Sequence, residues 1–210
     1  MNMYTLLLAA LGVASANALA ADSAVLSISG TIMPAACVPS LSSPTVDFGT
    51  LRASDVLAAA AGGNYSLPDK SLTLTLTCGA PTSVALFPID NRTPSKLPNT
   101  SYTNGLGEAP DGKAIGYYKL KFTQVWGDGE VQQLTVRGPS GSWGASQDNL
   151  LRTLTDTLYG ISSKAGESPG SYRVQSYHFD LTTVIVSPSK LPLDAAVNLD
   201  GNMTFELRYL

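Results

Sequence analysis

Residues 71–78 read SLTLTLTC, and no other stretch of the chain limits the fold so severely. Leu72, Leu74, Leu76 and Cys78 fall on one side of an extended backbone, and Thr73, Thr75 and Thr77 on the other. Side chains that alternate with period two belong to a strand with one buried face. A threonine face is the outer surface such a strand prefers. Further segments carry the same signal. Residues 84–89 form a short apolar strand, and 117–126 and 131–137 flank Gly127-Asp128-Gly129, a hairpin turn sequence. Residues 172–186 alternate over a long run, and 203–210 alternate up to the C-terminus after a turn at 198–201. Nineteen glycines and thirteen prolines cut the chain into pieces of strand length, which predicts an all-β domain.

Two segments read either way. Residues 54–61 predict one or two helical turns started by Ser54 and closed by Gly62-Gly63. Residues 148–159 place Leu150, Leu151, Leu154 and Leu158 at helical spacing, while Thr153, Thr155 and Thr157 suit a strand. Residues 88–112, rich in Pro, Asn and Gly, read as loop.

The start of the chain carries an export pattern. An apolar run, 4–13, is too short to cross a bilayer, and small residues follow at 16–20. Residues 1–20 are therefore expected to be a signal peptide cut after Ala20, although no Lys or Arg precedes the run. About 190 residues would remain, enough for one domain with a sizeable core. Cys37 and Cys78 are the only two cysteines, 41 positions apart. An isolated pair in an exported chain is expected to form a disulfide.

Catalytic and cofactor chemistry find little support. His178 is the only histidine and lies inside an alternating strand. No G-x-S-x-G elbow, P-loop or spaced-aspartate calcium loop is present. A net charge of −3 with only 14% charged residues offers no basic patch for nucleic acid. No enzyme, cofactor or metal is expected. Trp126, Trp143, Tyr117 and Tyr118 could stack on a sugar, but packing is the plainer use for each.

Residues 25–37 read VLSISGTIMPAAC: alternating apolar residues, one glycine in the series, then a cysteine. Val46-Asp47-Phe48-Gly49-Thr50 and a strand ending in Cys78 follow. The last residues are Phe205-Glu206-Leu207-Arg208-Tyr209-Leu210, with a penultimate tyrosine, after an Asn-Leu-Asp-Gly turn. In this order the ends of the mature chain resemble subunits of the chaperone–usher fimbrial family, most of all the β-fimbrial major-subunit-like group, whose last strand follows such a turn. The glycine that common pilins carry ahead of this strand is absent at Ala196-Val197.

The resemblance implies an incomplete immunoglobulin-like β-sandwich completed by a donor strand. Residues 21–36 would be the donor extension, with Leu26, Ile28, Gly30 and Ile32 facing a neighbour's groove, and 37–210 the sandwich. Phe205, Leu207, Tyr209 and Leu210 would form the strand that a periplasmic chaperone holds. An outer-membrane usher and neighbouring fimbrial subunits are the other implied partners, with a host or surface glycan as a further possibility. An ordinary first strand, paired within its own domain, would also explain the alternation at 25–32. The alternative function is a secreted carbohydrate-binding or adhesin β-sandwich whose binding face is the Trp126–Trp143 region.

Overall fold

The computed structural model describes residues 26–29, 36–153 and 156–210. The chain divides into two units, Met1–Met33 and Pro34–Leu210. Of the first, residues 26–29 are described; they have no regular secondary structure, and Leu26 and Ile28 are exposed. The predicted signal peptide lies outside the described residues.

The second unit is all-β. Its strands are β1 (Cys37–Leu41), β2 (Tyr65–Ser66), β3 (Lys70–Asp90), β4 (Asn104–Gly105), β5 (Gly116–Gly127) and β6 (Glu130–Val131). They continue with β7 (Gln133–Arg137), β8 (Trp143–Ala145), β9 (Leu158–Ser162), β10 (Ser171–Ile185) and β11 (Met203–Tyr209). Among the described residues one α-helix, α1 (Ala53–Ala60), precedes β2. Every pairing among the described strands is antiparallel.

One strand organises the whole. The first half of β3 lies between β10 and β1, and β5 pairs the far side of β10. The second half of β3 lies between β11 and β9, followed by β7 and β8. The two halves thus belong to two layers, and the ladder curls into a sandwich. Phe122 of one layer meets Tyr159 of the other with ring centroids 5.0 Å apart, and Phe179 meets Phe205 at 5.7 Å. Leu74, Leu76, Leu86, Ile161 and Tyr177 fill the space between and are almost wholly buried.

The sequence splits residues 71–78 and 84–89 into two strands, and the structure runs one strand through both. Residues 78–81 leave the β10 ladder, whose register shifts between Tyr172 and Val174. Such a bulge bends a strand without ending it. Side chains then replace the missing ladder bonds. Arg173 Nη1 donates to the Gly79 carbonyl, and Gln175 Nε2 to that of Thr82. Tyr177 Oη completes the buried network by donating to Gln175 Oε1.

The ambiguous segments resolve separately. Residues 53–60 are helical, but Ser54 does not cap the helix. The cap position is Arg52, without a side-chain bond, and Ser54 Oγ donates to Asp55 instead. At 148–159 neither period prevails: Leu150 bridges Lys121, Leu151 is buried, and regular strand begins only at Leu158. The stretch expected to be loop is firmly organised at its start. The buried Asp90 carboxylate accepts the amides of Arg92 and Gly105, with the Lys96 ammonium 3.7 Å away.

Candidate functional site: an open cleft between the first and last strands

Two strand edges border one cleft, and the ladder geometry says which backbone groups face it. Ala36 O accepts from Gly79 N, and Ser42 N donates to Thr73 O. In an antiparallel pair bonded and non-bonded positions alternate. Cys37, Pro39 and Leu41 are therefore the β1 residues that turn their backbone groups away from β3. Pro39 has no N–H, a usual guard on a strand edge. On β11, Asn202 O and Leu210 N bond to β3-side partners. By the same alternation Met203, Phe205, Leu207 and Tyr209 direct their N–H and C=O groups outward. No described strand pairs with that side.

The edges differ in how they are protected. Strand β8 is three residues long, and β1 carries Pro39. Strand β11 spans seven residues with no proline, and no register shift interrupts its pairing with β3. A long regular edge with apolar side chains is what isolated domains avoid, because it templates pairing with another chain.

The side chains lead to the same place. Within β10 the inward residues Tyr177, Phe179 and Leu181 are closed off from solvent, Phe179 to 1% exposure. The corresponding β11 residues Met203, Phe205 and Leu207 pack on the core yet remain only half-buried. Tyr209 and Leu210 are each 54% exposed. Leu41 of β1 and Val46, Phe48 and Leu51 after it are also half-buried against the core. A cavity of about 590 Å³ lies among Val46, Phe48, Leu51, Leu191, Val197 and Leu199, just ahead of β11 in the chain, and no residue of β1 or β11 lines it. Where β1 begins and β11 ends, Cys37 N donates to Tyr209 Oη at 2.9 Å.

The residues singled out from sequence fall as follows. Cys37 and Cys78 are directly opposed and joined by a disulfide. Phe205, Leu207 and Tyr209 line one side of the cleft, and Leu210 follows the strand end. Leu26 and Ile28 are exposed, and Gly30 and Ile32 lie outside the described residues. The half-buried residues within 41–51, three of which line the 590 Å³ cavity, were not anticipated as part of a site. Their signal was the alternation of Val46 and Phe48 around Asp47, directly after the cysteine strand. His178 sits half-buried on the outer face of β10, with Nδ1 3.2 Å from Thr73 Oγ1.

The aromatic residues considered for sugar stacking do not form one face. Tyr118 is buried, Trp126 lies on β5, and Trp143 lies on β8 in the other layer, beneath the Arg137 guanidinium. A second hollow, about 340 Å³, is lined by the amides Gln124, Gln132, Gln133 and Asn149, and neither tryptophan contributes to it.

Residues 26–105 match a family model described as "Protein of unknown function (DUF1120)". That stretch includes the N-terminal segment, both cysteines and all of β3. The chain is also similar to Protein GltF of Escherichia coli (strain K12), with 27% identity over 241 residues, 96% of this chain and 95% of that protein.

Proposed function

We propose that the chain is a structural subunit of an exported surface fibre of the chaperone–usher fimbrial kind, and that it polymerises by strand addition. The observation that carries this reading is β11. A seven-residue edge without proline or bulge stands beside an apolar cleft that the domain leaves half open. Backbone groups at such an edge give an added strand its affinity, and pockets for alternate side chains give its register.

The chain supplies a segment of matching length. Once extended, residues 26–32 would put Leu26, Ile28, Gly30 and Ile32 on one face and Ser27, Ser29 and Thr31 on the other. Burying the three large aliphatics in a neighbour's cleft would contribute roughly 5–9 kcal/mol as an upper figure. Until a neighbour arrives, the exposed edge needs cover, the role of a periplasmic chaperone, with an outer-membrane usher as the site of exchange. The leader-like residues 1–20 and the disulfide suit that route to the cell surface. The reading assigns the chain no catalytic step. Adhesion through a surface glycan is a secondary role, and the amide-lined hollow is where an uncharged sugar would sit most naturally.

The test is self-assembly. Purified chain, released from its chaperone, should form a ladder of polymers on unheated denaturing gels. An excess of a peptide of residues 24–35 should cap the chain ends and collapse the ladder to monomer. A chain that stays monomeric and ignores the peptide would favour the self-contained carbohydrate-binding sandwich.

A further inference from the structure

We propose that Tyr209 is a latch on the acceptor cleft: its phenolic oxygen occupies a β1 amide that an incoming strand would use, so strand uptake waits for this side chain to swing away. The inference rests on the strand-acceptor reading of the cleft and adds a control element to it.

Cys37 and Tyr209 are 172 positions apart and sit on the two strands that border the cleft, yet Cys37 N donates to Tyr209 Oη at 2.9 Å. The two strands share no ladder pairing. The contact therefore crosses the cleft. Cys37 faces Cys78 across a non-bonded pair, so its N–H is aimed into the cleft rather than at β3. With Pro39 lacking a donor, only Cys37 and Leu41 on β1 can offer an N–H to an added strand. The latch takes one of the two.

The two partners differ in freedom. Cys37 is buried, disulfide-bonded and held in the β1–β3 ladder. Tyr209 is 54% exposed; its backbone is held in the β11–β3 ladder opposite Val84, so the freedom belongs to its side chain alone. The phenol can leave while the amide cannot, so the latch opens from the Tyr209 side. An opening step of this kind keeps the cleft closed at one end to casual strands and lets a strand seated further along displace it.

The test uses the full oxidised chain and a fluorescent peptide of residues 24–35 in excess, with uptake followed by anisotropy. Tyr209→Phe keeps the ring and removes the hydroxyl. It should raise the uptake rate on the order of threefold to tenfold, the range that one neutral hydrogen bond supports. Tyr172→Phe removes a hydroxyl that bonds Gln132 instead, and should leave the rate unchanged. Amide exchange measured by NMR should show the Cys37 N–H exchanging faster in Tyr209→Phe than in the wild type. Equal or slower uptake by Tyr209→Phe overturns the latch while leaving the acceptor reading intact. Unchanged exchange at Cys37 overturns it independently of any peptide. Faster exchange without peptide uptake by either protein means that the tie exists but the acceptor reading fails, and the latch role falls with it.

Discussion

Cys37 and Cys78 join the first strand to the central one at the mouth of the cleft, and they close a loop of 41 positions. In the chain-entropy account a loop of this size stabilises the fold by roughly 4 kcal/mol. Cys37→Ala/Cys78→Ala should therefore lower the denaturant midpoint markedly with little change in the slope. A second residue-scale expectation concerns alkaline pH. Burial pushes the Tyr159 hydroxyl up to about 12, and it raises Tyr118 and Tyr177 as well. A tyrosine ionises near 10 in the unfolded chain. Between about pH 10 and 12 the unfolded chain has thus lost protons that the native state still holds. Stability is then unaffected by these groups below pH 10 and falls as pH rises above it. Denaturant titrations from pH 8 to 12 should show the decline, and Tyr159→Phe should make it shallower. That substitution also removes the oxygen that accepts the Arg152 amide, so stability at neutral pH should drop by about 1 kcal/mol.

At the scale of elements, β11 is both the last piece of the sandwich and the rim of the cleft. Deleting residues 208–210 removes Tyr209, the Leu210 N–H bond to Ser83 O, and the end of the edge. The expected outcome is loss of co-purification with a periplasmic chaperone and degradation of the subunit. A stable chaperone complex of the truncated chain would rule β11 out as the handle. The extension makes the complementary case. Gly30→Leu adds volume where a packed groove would accept the strand, and overpacking typically costs ~1–3 kcal/mol. Chaperone-bound yield should stay normal while polymers shorten. How far elements were legible depends on how local their causes are. The alternation at 71–78 and in β10 needs only one buried face, and both strands lie where the pattern puts them. The continuity of β3 through Gly79-Ala80-Pro81 depends on Arg173 and Gln175, which lie about a hundred positions away along the chain. No local pattern carries that information.

For the whole molecule, the decisive property is that the described domain leaves its cleft open, and the corresponding prediction is assembly. Ile28→Asp would place a charge in the neighbour's apolar cleft, where an unpaired carboxylate is strongly disfavoured. Chaperone complexes of this variant should form at wild-type yield, and ladders on unheated gels should be absent. Normal polymers from both Ile28→Asp and Gly30→Leu would show that residues 26–32 are not donated. The sequence by itself determined the all-β class, the positions of the long strands β5, β10 and β11, the pairing of the only two cysteines and the apolar face of the last strand. Each of these follows from side-chain period or from a count of one. Only the tertiary structure decided that β1 and β11 border the same cleft, that Leu41, Val46, Phe48 and Leu51 stay half-buried on the core, and that Tyr209 reaches the Cys37 amide across the cleft. The physical reason is that an open edge is defined by a partner strand that is missing. A strand's own residues record which face is apolar, but whether that face is covered depends on how every other strand packs.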